Sequence, residues 1–272
     1  MPAGKHTQWA DDVRTPESRS PVPSGKSFTS KHGKGFFMAD LVNAAHRVAG
    51  LDHTSVAYIP GYAEENVHRL ITTLLDYDQA KSLDELSVVF IGNSTKQIQL
   101  WCQKSAEVED RNSGFKAREF HAILVQKPPA SDELRLGPGE AVPAYVWDLD
   151  STLPLPCRLS YYAHNALRLA AYAQFDEKYS RFYRVVPAAA YLENFASDRT
   201  HMRLATGEFK QPPPPWPCIT TPDGRTSTVP RYWDLYMPPT PWQEQDASCP
   251  WGRVLEEGQL LPFFQTHNTP AA

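Results

Sequence analysis

The sequence predicts an α+β domain, and three observations carry that expectation. A strongly amphipathic helical segment comes first and is followed by short apolar runs with short connections between most of them. A second helical segment and then loops come after those runs instead of alternating with them. Finally, 25 prolines punctuate the 272 residues, mainly in the N-terminal stretch, at 212–217 and at 229–250. Segregated helices and strands indicate α+β, not a doubly wound α/β order. So many prolines exclude a helical bundle. No internal repeat is present.

Taken in order, residues 1–35 are polar and rich in Ser, Lys, Pro and Gly, and are expected to be a disordered tail. Gly25-Lys26-Ser27 resembles the end of a phosphate-binding loop, but that spacing needs glycine at 20, where Ser20 stands. A helical extension is predicted over 36–54, with Met38, Leu41, Val42, Ala45, Val48 and Ala49 at helical spacing and Gly50 as a stop. Pro60-Gly61 then turns the chain into the clearest helix, 64–77. There Val67, Leu70, Ile71, Leu74 and Leu75 form one stripe, and Glu64 and Glu65 occupy the first turn, where the macrodipole favours anions. Strands are predicted at 86–91, 97–101, 119–126, 141–149 and 181–186, antiparallel because most links are short. A helix is predicted at 158–175, and loops dominate beyond 195. The main domain is expected to span 55–265, with a tail at 266–272.

Composition narrows the function classes. Hydrophobic residues make up 41% of a 30.6 kDa chain, enough for a sizeable core, and the formal net charge of -4 offers no basic footprint for nucleic acid. No apolar run of about 18 residues is present, so no membrane partner is expected. The first residues lack the apolar core of a secretory signal. Four cysteines (Cys102, Cys157, Cys218, Cys249) form no C-x-x-C pair, which points to reduced thiols and a cytoplasmic, also nuclear, location. No His/Cys pair has zinc spacing, so no metal is expected. A monomer is expected.

Chemistry concentrates around three features. His121 lies inside an otherwise apolar strand, Asp148 lies in the next strand 27 residues on, and a helix starts near 61–65. Neighbouring antiparallel strands can set a histidine beside an aspartate, and a helix N-terminus depresses a thiol pKa. Cysteine–histidine–carboxylate sites of the papain type combine these parts. The competing reading is a buried histidine satisfied by a core carboxylate. In the loop carrying Asp198, Arg199 and His201, Asp198 and Arg199 are expected to clamp each other, and the loop could wall a pocket. The proline run at 212–217 reads as a rigid connector or, alternatively, as a polyproline docking surface.

Longer motifs add to this. The stretches Tyr62–Val67 (YAEENV), Trp147–Cys157 (WDLDSTLPLPC), Tyr191–Met202 (YLENFASDRTHM) and Pro212–Ile219 (PPPPWPCI), with Trp251-Gly252, resemble the protein N-terminal glutamine amidohydrolase family over roughly 55 to 265. The resemblance implies hydrolysis of the side-chain amide of a protein's first-position glutamine. The products are glutamate and ammonia, and the glutamate prepares the protein for arginylation in the N-degron pathway. It further implies a papain-like or transglutaminase-like scaffold, no cofactor, and proteins or peptides with N-terminal Gln as partners. Its triad falls on position 63, His121 and Asp148. The family's Y-C-E-E-N motif has cysteine where this sequence has Ala63. A natural pseudoenzyme, a deliberate cysteine-to-alanine substitution and a sequence error near 61–63 all fit that departure. If the pocket is kept without the chemistry, the chain is a binding or scaffold protein for Gln-initiated N-termini. Glu64, Glu65 and Asp150 are the candidate acceptors for the substrate α-ammonium. Cys102, Cys157 and Cys218 read as small packing residues, not replacement nucleophiles.

Overall fold

The computed structural model describes residues 51, 56–106, 114–127, 142–169, 176–236, 238 and 240–266. The tail expected over 1–35 lies outside the described residues. So do all of the predicted extension except Leu51 and all of the C-terminal tail beyond Thr266.

The predicted amphipathic helix is α1 (Ala63–Asp76), with Val67, Leu70, Ile71 and Leu74 buried. Each large aliphatic side chain so buried is worth about 1.5–3 kcal/mol. Among the described residues eight strands follow: β1 (Leu86–Gly92), β2 (Ile98–Leu100), β3 (Lys116–Arg118), β4 (Phe120–Gln126), β5 (Tyr145–Trp147), β6 (Cys157–Arg158), β7 (Phe182–Pro187) and β8 (Arg253–Glu256). Six of them form one antiparallel sheet in the order β6-β5-β4-β1-β7-β8, and β2 pairs with β3 separately. The chain is therefore α+β, as its segregated pattern predicts.

Strands β1 and β4 are central and covered on both faces, so they read as continuous apolar runs. Val88, Phe90, Ala122 and Leu124 pack with the stripe of α1, while Val89, Ile91, Ile123 and Val125 pack with Tyr162 and Tyr183 on the other side. Because strand side chains alternate, His121 falls on the second face and Phe120 on the first.

Several expectations are corrected. The predicted strand 141–149 contracts to Tyr145–Trp147. Asp148 lies just beyond it in a turn, where its Oδ1 accepts from Asp150 N–H (3.0 Å) and its carbonyl from Ser151 N–H (3.1 Å). The predicted helix 158–175 begins as β6, continues as α2 (Leu159–Tyr162) and a π turn at Ala163–Leu167, and is interrupted at Arg168, whose φ is 52°; Leu169 is helical again, and 170–175 lie outside the described residues. Tertiary donors hold the carbonyls before that break: Trp101 N–H reaches Ala166 O (3.0 Å) and Arg181 reaches Leu167 O (2.7 Å). After α3 (Ala188–Asn194) the chain beyond 195 is loop-dominated, as expected, with only short elements set in it, among them α4 (Pro230–Trp233), β8 and α5 (Leu260–Thr266). The four-residue β8 shows no clean alternation that would mark it, and its pairing with β7 makes it a strand.

Candidate active site

His121 and Asp148 meet. His121 Nε2 lies 3.0 Å from Asp148 Oδ1, and the residues are 1% and 2% exposed. Pairing of β4 with β5, Leu124 opposite Trp147, brings the two chain segments together. Asp148 Oδ2 accepts from Tyr162 Oη (2.7 Å) and Gln103 Nε2 (3.2 Å). Burial alone raises the Asp148 pKa. The charge of His121 and the hydrogen bonds from His121, Tyr162 and Gln103 outweigh it and hold the carboxyl below its usual range. Burial, then the neighbouring carboxylate, pushes the Tyr162 phenol well up, so it stays a donor. The other ring nitrogen, His121 Nδ1, is buried and has no hydrogen-bond partner among the described residues.

Ala63 opens α1 and is half-buried. Asn66 ties the entering turn to the helix, donating to Ile59 O (2.8 Å) and accepting from Ile59 N–H (3.0 Å). Gly61 has φ +83°, and a side chain there would meet Gln211 and Met202 at 3.2 Å. Asn66 N–H donates to Tyr62 O (2.9 Å), which leaves the amides of 63–65 outside the helical ladder. The helix packs on β4, the strand of His121, and Ala63, Phe120 and Trp233 lie at the partly exposed margin of one apolar cluster.

The three candidate acids have different surroundings. Glu65 is saturated: Oε1 accepts from Arg199 Nε (2.9 Å) and Ser197 Oγ (2.9 Å), and Oε2 from Arg199 Nη2 (2.8 Å) and Trp216 Nε1 (2.8 Å). Arg199 also donates to Pro214 O (3.2 Å) and Trp216 O (2.9 Å), tying the proline run to the helix start. The expected Asp198–Arg199 clamp is thereby corrected. Asp198 instead accepts from Thr200 N–H (3.0 Å) and Oγ1 (2.7 Å). Asp150 is likewise engaged, by Tyr58 Oη, Arg118 Nη2 and Ser105 Oγ (2.7 Å). Glu64 differs. Its Oε1 lies 3.1 Å from His201 Nε2, while its Oε2 is buried with no partner among the described residues.

A buried network that the sequence reading missed supports the pair. Gln103 donates to Asp148 and accepts from Arg118 Nη2 (3.1 Å), and Arg118 also donates to Ser105 Oγ (2.7 Å). Gln103, Arg118 and Tyr162 belong to separate segments with no motif of their own. Burial pushes the Cys157 thiol up to about 12 and raises Cys102 as well, so neither offers a ready thiolate. Among the described residues no group of three or more His, Cys, Asp or Glu could hold a metal. No described helix is long and apolar enough to cross a membrane.

The chain is similar to known proteins over most of its length. The family described as N-terminal glutamine amidase matches residues 58–264. A protein of Oryza sativa subsp. indica named protein N-terminal glutamine amidohydrolase is 35% identical over 221 residues, covering 79% of this chain and 89% of its own. Proteins of the same name from Arabidopsis thaliana (37% over 183 residues, 67% and 76% covered) and Homo sapiens (32% over 211 residues, 78% and 89% covered) are similar too.

Proposed function

The chain belongs to the N-terminal glutamine amidase family, and on that premise we propose a site that hydrolyses the side-chain amide of a protein's first glutamine, with position 63 as the nucleophile's place. One observation supports this best. His121 has one nitrogen on Asp148 and the other, Nδ1, buried and unpartnered, as a histidine that serves a thiol requires. The start of α1, where the amides of 63–65 lie outside the helical ladder, supports position 63 as that thiol's place. These features also favour the papain-like or transglutaminase-like reading of the scaffold.

With cysteine at 63, the thiolate attacks the amide carbon and the carbonyl π electrons move to oxygen. The free amides at the start of α1 supply donors to that oxyanion. As the carbonyl re-forms, the C–N bond breaks and His121 protonates the departing nitrogen, which leaves as ammonia. His121 then removes a proton from water, whose oxygen attacks the thioester. The C–S bond breaks, leaving the glutamate carboxyl and the thiolate. Asp148 orients the imidazole and stabilises its charged form. The acidic product is the kind of N-terminus that arginylation in the N-degron pathway takes up. The free cysteines support a reducing cytoplasmic or nuclear setting.

Ala63 carries a second reading. Without a thiol the chain keeps a pocket for Gln-initiated N-termini and turns over nothing, acting as a binding or scaffold protein. Ammonia release and the amide-to-acid mass change on a Gln-initiated peptide test both. The chain with Ala63 should be silent, and Ala63→Cys should be active on N-terminal Gln but not on N-terminal Asn or internal Gln. A folded, silent Ala63→Cys protein would move the binding reading to first place.

A further inference from the structure

Resting on that reading, we propose that Glu64 receives the substrate α-ammonium through Oε2, with His201 holding its carboxylate in place. A first-position glutamine differs from an internal one by its free α-amine, so selectivity needs an acceptor for that cation. Three acids are near enough in sequence or fold to be considered, and their surroundings separate them. All the oxygens of Glu65 and Asp150 already have donors. Glu64, only 1% exposed, has one engaged oxygen and one buried oxygen with no partner among the described residues. Buried polar atoms are almost always hydrogen-bonded, so this oxygen calls for a donor. An alkylammonium supplies three donors and the complementary charge.

Position and electrostatics agree. In glutamine only three carbons separate the amide carbon from the α-nitrogen, so the acceptor must lie within a side chain's reach of the nucleophile. Glu64 adjoins position 63. The positive end of α1 favours a thiolate and an oxyanion but repels an ammonium, and a carboxylate in the first turn reverses that locally. His201 contacts the Trp233 ring edge-on (5.1 Å), and Trp233 contacts Phe120 (4.7 Å), the residue before His121. The carboxylate is thereby linked, through two aromatic contacts, to the strand end that carries the general base. Ala63, His201 and Trp233 are all half-buried, leaving this margin open to a chain terminus.

The test compares a Gln-initiated peptide with its Nα-acetylated counterpart. In the Ala63→Cys protein the free-amine peptide should be preferred in kcat/KM by about 100-fold, the usual scale for a buried charge pair. Adding Glu64→Gln should remove that preference by lowering kcat/KM for the free-amine peptide alone. Persistence of the preference would overturn the assignment. If Glu64→Gln does not fold, Glu64→Asp, which keeps the charge but withdraws the oxygen, should erode the preference in the same direction; an intact preference overturns the proposal. If Ala63→Cys is silent on both peptides, the catalytic reading fails, and calorimetry on the Ala63 chain decides about Glu64. Free-amine binding that Glu64→Gln abolishes supports it, whereas equal binding of both peptides, or none, rejects it.

Discussion

Asp148→Asn probes the centre of the buried network. The change is isosteric and replaces an acceptor, Oδ2, with an NH2 donor. Oδ1 can still accept from His121 Nε2 (3.0 Å) and Asp150 N–H (3.0 Å). The new donor faces Tyr162 Oη, which can rotate to accept, and Gln103 Nε2, which cannot adapt as freely. Flipping the Gln103 amide would set its NH2 against Arg118 Nη2, the donor its Oε1 now accepts at 3.1 Å. One buried donor is therefore stranded, costing about 1–3 kcal/mol, and charge-assisted bonds become neutral ones. The sum expected in urea unfolding at pH 7 is about 2–4 kcal/mol. Gln103→Glu in the same chain restores an acceptor toward residue 148 while keeping one for Arg118. The double variant should regain about 1–2 kcal/mol over Asp148→Asn. Gln103→Glu alone sets two buried carboxylates together and should destabilise. A cycle of the four proteins, additive within about 0.5 kcal/mol, would refute the network.

The Asp148 carboxyl lies below its usual range in the fold, so its stabilisation is complete above the unfolded value near pH 4 and disappears as pH falls through the folded value. Asp148→Asn should flatten the fall of the urea midpoint below pH 4; an unchanged slope would argue against it. Glu65→Gln leaves the buried Arg199 guanidinium without its carboxylate and should cost about 3–5 kcal/mol in the same unfolding experiment, with earlier proteolysis across 197–217. Cys157, buried with a thiol pushed up to about 12, should resist iodoacetamide at pH 8 while exposed Cys218 alkylates; peptide mass mapping reads the difference.

Much of the architecture was legible because it is local. The stripe from Val67 to Leu74 has one period and one solution, and β1 and β4 are apolar throughout because both faces are covered. His121 stood out as a lone titratable group in such a strand, and the motifs around 62–67 and 147–157 led to position 63 and Asp148. The start of the 158–175 segment and its break at Arg168 were not legible. Its helical spacing is real, but pairing of Cys157 with Val146 decides where it begins, and the donors from Trp101 and Arg181 hold the carbonyls before the break.

The sequence by itself determined the α+β class, the central strands and the helix expected over 64–77, and it named the histidine, aspartate and alanine of the candidate site. Only the tertiary structure decided what each acid does. Glu64 and Glu65 are neighbours with the same side chain, yet Glu65 meets Arg199, Ser197 and Trp216 while Glu64 keeps an oxygen with no donor among the described residues. The physical reason is that side-chain hydrogen bonds are short-ranged in space but indifferent to separation along the chain. Their partners lie more than 130 residues away and leave no periodicity to read.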